Sequence, residues 1–270
     1  MNAIMGEKIS IITYKAQTTR HRIMGIMNGE DFQVVYSDTP GIVKPAYKLH
    51  NSMMSVINEA LEDADIFLLV IDVKDRRQPE EHIIEKMKRS GKPVIIVLNK
   101  MDLIKKELMF PMAADWSKRM PGAEIVPVSS TKGKNVDTVL NLVLEKLPEH
   151  PGYFDKVEFT TRTMRFFVSE MIREKIFLCL EKEIPYASEV IIDSYKEEAG
   201  IDRIAATIYV ERDTQKSIMI GKGGSMLKKI GTEARLDMEE FLGKKVFLEL
   251  FVKVNKDWRN NANKLKNFGY

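Results

Sequence analysis

The sequence predicts an α/β fold: a doubly wound parallel sheet over residues 1–149, a linker over 150–155 and a smaller α+β domain over 156–270. Three observations carry this reading. The runs Ile66-Phe67-Leu68-Leu69-Val70-Ile71-Asp72 and Val94-Ile95-Ile96-Val97-Leu98-Asn99 are continuously apolar, as strands buried on both faces of a parallel sheet are. Helical stripes alternate with them: Met53, Ile57, Ala60 and Leu61 first, then Ile83, Ile84 and Met87 after Pro79, then Val136, Val139, Leu140, Val143 and Leu147. Finally, Pro148-Glu149-His150-Pro151-Gly152-Tyr153 breaks helix and strand alike, which makes it the linker.

Beyond the linker a helix is expected around Met164, Phe167, Val168, Met171 and Ile172. Two alternating strands follow, with Ile204, Ala206, Ile208 and Val210 on one face. Ile218-Met219-Ile220 runs into Gly221-Lys222-Gly223-Gly224, and a helix with Leu227, Ile230, Ala234, Met238 and Phe241 inward comes next. The last strand alternates Val246, Leu248, Leu250, Val252 and Val254. A G-x-x-G loop opening a basic helix suits a nucleic-acid backbone. Its glycines remove side chains that would hold phosphates away, the helix N-terminus offers N–H groups, and Lys222, Lys228 and Lys229 add charge. Lys253, Lys256, Trp258 and Arg259 offer a tail that either neutralises and stacks on RNA or, for Trp258, caps the domain core.

Composition sets the class. At 270 residues and 44% apolar content the chain has material for two cores, and no apolar run reaches membrane-spanning length. One cysteine, Cys179, and no charged-then-apolar leader lead to the expectation of a reducing cytoplasm. The four histidines show no metal-ligand spacing. Net charge is only +3, yet residues 215–270 hold twelve Lys/Arg against six Asp/Glu, which puts the basic partner surface at the C-terminal end.

The first half carries nucleotide chemistry. The strand ending at Asn99 delivers Asn99-Lys100-Met101-Asp102 at its carboxyl end. A carboxylate at Asp102 accepts from guanine N1 and its exocyclic amine, a donor pair adenine lacks. Asn99 is expected to reach the base edge or a neighbouring loop, and the stem of Lys100 to lie along the base. A strand over residues 32–37 runs into Asp38-Thr39-Pro40-Gly41, where a nucleotide enzyme keeps a carboxylate for Mg²⁺ and a glycine that lets backbone approach a terminal phosphate. Upstream, Lys15-Ala16-Gln17-Thr18-Thr19-Arg20-His21-Arg22 offers hydroxyls to a metal, and downstream Ile125-Val126-Pro127-Val128 leads into Ser129-Ser130.

In this order the motifs resemble the Era family of ribosome-assembly GTPases, and the resemblance runs over essentially the whole chain. It implies a GTPase domain followed by a type II KH domain. Gln17, Thr18, Thr19, Arg20 and His21 would form the switch, with Thr19 and Asp38 at Mg²⁺. Asp38, Thr39, Pro40, Gly41, Asn99, Lys100, Asp102, Val128, Ser129 and Ser130 would hold GTP. Gly221, Lys222, Gly223, Gly224, Lys228 and Lys229 would hold RNA. The function implied is GTP binding and hydrolysis coupled to binding of small-subunit ribosomal RNA near its 3′ end during small-subunit maturation. A monomer is expected, cytoplasmic with peripheral contact at the inner face of the cell membrane. Ile42 stands where other GTPases have a water-orienting Gln, so no catalytic residue is assigned. One departure bears on activity: the pattern G-x-x-x-x-G-K-[ST], expected after a first strand, does not occur, and the sequence opens at Met1-Asn2-Ala3-Ile4-Met5-Gly6-Glu7-Lys8. The alternatives are a nucleotide-incompetent RNA-binding adaptor and, against the sense of Asp102, an ATP-dependent enzyme.

Overall fold

The computed structural model describes residues 1–15, 17–75 and 79–270, so Ala16 of the switch segment lies outside the described residues. The chain forms two compact units: unit 1 is Met1–Ile9, Arg22–Val43 and Ser55–Thr160, and unit 2 is Ser10–His21, Lys44–Met54 and Thr161–Tyr270. These differ from the boundaries read in the sequence, because two early segments pack with the C-terminal unit.

In unit 1 a short helix α1 (Asn2–Met5) precedes a hairpin of β1 (Ile23–Asn28) and β2 (Gln33–Asp38), paired antiparallel from Ile23↔Asp38 to Asn28↔Gln33. Helix α2 (Lys48–Asp63), whose residues 48–54 belong to unit 2, leads to β3 (Phe67–Asp72), then α3 (Glu81–Ser90), β4 (Val94–Asn99), α4 (Met109–Arg119), β5 (Glu124–Pro127) and α5 (Val136–Lys146). Strands β3, β4 and β5 form a parallel sheet with β4 central. Burial on both sides explains the unbroken apolar sequence of β4, whose residues 94–98 are all buried. Helix α3 turns Ile83, Ile84 and Met87 inward and stops at Gly91, whose φ of 68° suits glycine.

One expectation is corrected here. The apolar run of β3 was expected to be buried on both faces, but Val70 is 59% exposed. Among the described residues β3 pairs with β4 alone, and its other edge has no partner strand there. The same holds for the outer edge of β2, so the doubly wound sheet is divided into a hairpin and a three-stranded sheet. A cavity of about 1540 Å³ in unit 1 is lined by every residue from 33 to 38 and from 66 to 70, and so follows both unpaired strands. The linker is anchored to β2: the Gln33 Oε1 accepts from Tyr153 N at 2.7 Å and Phe154 N at 3.0 Å, and its Nε2 donates to Phe154 O at 2.8 Å.

Unit 2 contains α6 (Met164–Cys179), β6 (Glu189–Glu198), β7 (Ile201–Val210), α7 (Asp213–Ile220), α8 (Ser225–Leu242), β8 (Lys245–Val254) and α9 (Ala262–Asn267). Strand β7 is central, antiparallel to β6 and parallel to β8. Ile204, Ala206, Ile208 and Val210 join Ile230, Ala234 and Met238 of α8 in one core. The sequence order omitted α7: Ile218, Met219 and Ile220 are helical, and the Gln215 side chain caps that helix by accepting from Glu211 N and Arg212 N.

Helix α6 is buried nearly all round, charged positions included: Glu170, Arg173, Glu174 and Lys175 are all buried. The Arg173 guanidinium makes a two-point ion pair with Glu170, Nε to Oε1 at 2.7 Å and Nη2 to Oε2 at 2.9 Å. The two early segments complete this unit. Leu49 and Met53 pack with fully buried Trp258 and with Leu265. The indole of Trp258 donates to Ala187 O at 3.0 Å, so it closes the core and does not stack on RNA. Arg259, read as an RNA contact, pairs instead with Glu211 and sits 4.6 Å over Tyr47. Cys179 is a partly buried core neighbour whose thiol is pushed up by burial, the reverse of an activated nucleophile.

Candidate nucleotide and RNA sites

The carboxyl ends of β2, β4 and β5 deliver the nucleotide motifs of unit 1. Asp38 closes β2, Asn99 closes β4 and Val128 follows β5. Asp38, Thr39, Pro40, Gly41, Asn99, Val128 and Ser130 all line the 1540 Å³ cavity, so motifs far apart in sequence meet at one opening. Asn99 builds that opening. Its Oδ1 accepts from Lys100 N at 2.8 Å, Ser130 N at 3.1 Å and Ser130 Oγ at 2.9 Å, which fastens the end of β4 to the following loop. Of its two expected destinations, the side chain takes the loop.

Lys100 adopts a left-handed φ of 66°, rare outside glycine, and this turn projects Asp102 outward. Its Nζ pairs with Asp72 Oδ2 at 2.6 Å. Burial works against the Asp72 charge, yet the Lys100 hydrogen bond holds the carboxyl below its ordinary range. Sequence reasoning placed Asp72 only as a strand end; its register opposite Asn99 is the signal that it belongs beside the site. The exposed Asp102 carboxyl is likewise held low, first by the Ser129 hydroxyl and then, against slight burial, by Lys132 and Lys134. It is therefore an ionised acceptor near neutral pH, as reading guanine requires. No atom lies within 4 Å of where a Gly41 Cβ would stand, so the protein alone imposes no glycine there.

The switch residues belong to unit 2. Thr18 O accepts from Arg173 Nη2, and Lys15 Nζ donates to the carbonyls of Phe177 (2.6 Å) and Leu180. Arg20 is buried, donating through Nη1 to Ser188 O at 2.8 Å and Glu189 Oε2 at 2.7 Å, and through Nη2 to Pro185 O and Tyr186 O. His21 stacks on Tyr270 with centroids 4.4 Å apart. Gln17 has a φ of 61°, and the Thr19 side chain is partly buried. Arg20 and His21 thus serve the polar core of unit 2, a role that no local pattern in the sequence signals.

The glycine loop lies at the solvent, between α7 and α8. Gly221 has φ 75°, and a Cβ there would come within 2.8 Å of both Met226 N and Met226 Cβ, so glycine is required on two counts. Gly223 and Gly224 also have positive φ, 58° and 81°. Lys222, Lys228 and Lys229 are exposed, and Ile218, 51% exposed, puts an apolar surface beside the loop. Helix α8 opens directly from this bend, with the Ser225 N–H donating back to Lys222 O and the Gly224 N–H to Gly221 O.

A cavity lined by Asp38–Gly41, Asn99 and Ser130 in one unit, and an exposed G-x-x-G loop before a basic helix in the other, are the arrangement of a guanine-nucleotide protein with an RNA-binding domain. Residues 1–100 match the family described as 50S ribosome-binding GTPase, and residues 183–259 match the KH domain. The chain is 45% identical over 273 residues to the GTPase Era of Syntrophus aciditrophicus strain SB, covering 100% of this chain and 89% of that relative. It is 44% identical to the GTPase Era of Staphylococcus haemolyticus, covering 91% of it. Among solved structures it resembles Aquifex aeolicus Era bound to GDP and aluminium fluoride, with TM-score 0.94, 37% identity, and 100% and 93% of the two chains covered. It also resembles Era in complex with MgGDPNP and nucleotides 1506–1542 of 16S ribosomal RNA, with TM-score 0.95, 38% identity, and 100% and 92% covered. The chain belongs to the Era GTPase family.

Proposed function

We propose that this protein binds and hydrolyses GTP and binds small-subunit ribosomal RNA near its 3′ end, assisting maturation of the small ribosomal subunit. The observation that carries the reading is the meeting of Asp38–Gly41, Asn99 and Ser130 at one cavity, beside an ionised Asp102. The solved relative holding MgGDPNP and 16S ribosomal RNA supports both ligands. The donor set fits a hydrated Mg²⁺ held mainly by nucleotide phosphates: Asp38 lines the cavity, and among the described residues no group of three or more His, Cys, Asp or Glu forms a metal cage. Asp38 is the metal contact that unit 1 supplies in this reading, and the metal would offset phosphate charge. Hydrolysis then rests on positioning and backbone groups, with no side chain assigned as base. The adaptor alternative is not favoured, because the GTPase family matches residues 1–100 and the curated relatives are GTPases.

The protein acts as a monomer, with peripheral contact at the inner face of the cell membrane. Among the described residues no helix is long and apolar enough to cross a membrane. Leu103, Leu108 and Phe110, exposed beside Lys105 and Lys106, support an interfacial contact. Nucleotide reading is tested by titrating GTP, ATP and XTP while following the amide resonances of Asn99–Asp102. GTP is expected to shift them more than ATP, and Asp102→Asn to move preference from GTP to XTP, since one acceptor becomes a donor. Equal response to GTP and XTP before and after the substitution sinks the assignment.

A further inference from the structure

Strands β3 and β4 end side by side, with Asp72 in register with Asn99, so the residue after Asn99 can reach the end of the neighbouring strand. Lys100 does so. Its backbone N–H is held by Asn99 Oδ1 at 2.8 Å, and its Nζ reaches back to Asp72 Oδ2 at 2.6 Å, which draws the stem from the end of β4 to the end of β3. Asp72 is itself fixed, because its Oδ1 accepts from Lys74 N at 2.9 Å and leaves Oδ2 to the lysine. The Asp72 and Lys100 side chains are 33% and 46% exposed, and an ion pair that open to water adds little to stability. Its consequence lies instead in where the ammonium is kept. Asp102 stands two residues beyond Lys100, and with consecutive Cα atoms about 3.8 Å apart it is within reach of a flexible four-carbon stem. Yet the cations that act most on its exposed carboxyl are Lys132 and Lys134, not Lys100.

We propose that Asp72 is a positioning residue for guanine recognition: it holds the Lys100 ammonium at the end of β3, away from Asp102, so that the Asp102 carboxylate keeps lone pairs open for guanine N1 and its exocyclic amine. A released ammonium is a compact charge with three donors, and it would pair with the exposed carboxylate two residues on. Base and lysine would then compete for the same oxygens. Because the contact concerns the base, which GTP and GDP share, loss of Asp72 is felt equally by both nucleotides.

The proposal rests on the nucleotide reading, and its test separates the two. The full chain is prepared as the parent, Asp72→Asn, Lys100→Met and Asp72→Asn/Lys100→Met. Asparagine keeps an oxygen to accept from Lys74 N while removing the charge, and melting curves verify each fold. GTP and GDP are titrated against the amide resonances of Ser129 and Ser130, and the Asp102 carboxyl carbon is titrated with acid in the absence of nucleotide. Asp72→Asn is expected to weaken GTP and GDP alike, about threefold to fivefold, the scale of one exposed ion pair, and to move the Asp102 midpoint downward as the ammonium turns to it. In the Lys100→Met background Asp72→Asn is expected to change neither quantity, since there is no ammonium left to hold. Unchanged affinity and an unmoved Asp102 midpoint in Asp72→Asn overturn the proposal and leave the nucleotide reading standing. An equal loss of affinity with and without the Lys100 charge also overturns it, because Asp72 would then act by another route. Absence of any nucleotide response in the parent overturns the nucleotide reading itself, and the Asp102 titration, which uses no nucleotide, still decides whether Asp72 holds the ammonium away.

Discussion

Replacing Asn99 by Ala tests how the guanine-reading end of β4 is built. The substitution removes one oxygen that accepts three donors, Lys100 N, Ser130 N and Ser130 Oγ, at 2.8, 3.1 and 2.9 Å. Hydrogen bonds of this kind contribute about 1 kcal/mol each, and the partly buried Ser130 N loses its acceptor outright, so the cost is roughly 2–3 kcal/mol. In a unit of this size that corresponds to a fall of about 5–10 °C in the melting temperature. Differential scanning calorimetry measures the fall, and Asn99→Asp is the control, since it keeps the accepting oxygen and is expected to cost less than half as much. A melting temperature within about 2 °C of the parent for Asn99→Ala would refute the argument, because the three bonds would then contribute nothing net.

Two further outcomes follow from the same geometry. Gly221→Ala combines a left-handed φ with a 2.8 Å approach to Met226 backbone, and should cost roughly 2–4 kcal/mol and weaken RNA binding, whereas Gly224→Ala meets open space and should cost about 1 kcal/mol; urea unfolding of the two variants compares them. His21 is held below its ordinary 6.5 chiefly by burial, with Arg173 and Arg162 adding to the effect and Glu189 and Glu170 opposing it. Its neutral ring is therefore favoured in the folded state, and the stability this confers is complete above about pH 6.5 and lost as pH falls through the lowered value. Unfolding free energies from pH 8 to 5 should show that decline, and His21→Phe should flatten it in part, with His50, lowered by burial, Arg259 and Arg20, retaining a share.

Much of this was legible in the sequence because it depends on periodicity. Strand β4, the stripes of α3 and α5, and the alternation of β7 each repeat at the spacing of their element, and the structure buries most of those residues. The Asn99–Asp102 and Gly221–Gly224 loops were legible because their chemistry needs particular residues at strand and helix ends. Long-range placement was not legible. Nothing local in Ser10–His21 or Lys44–Met54 signals that Arg20 reaches Glu189 or that Met53 meets Trp258. Helix α6 shows the same limit: Glu170, Arg173, Glu174 and Lys175 are buried because partners arrive from residues 12 to 20 and from α8, which no local pattern signals. The exposure of Val70 was hidden because an apolar strand reads the same whether or not a neighbour covers its second edge.

These early segments also decide how RNA binding is measured. A fragment beginning at Phe154 would leave Trp258, Arg173 and Glu189 without the residues that complete their surroundings, so the full chain is the right material. Its gel shift with RNA from the 3′ end of the small-subunit ribosomal RNA, with and without Lys222→Asp/Gly223→Asp, tests the central claim. The account predicts salt-sensitive binding by the parent and loss of most of it in the variant, with circular dichroism unchanged because the loop faces solvent. Equal RNA affinity in a folded variant would contradict it.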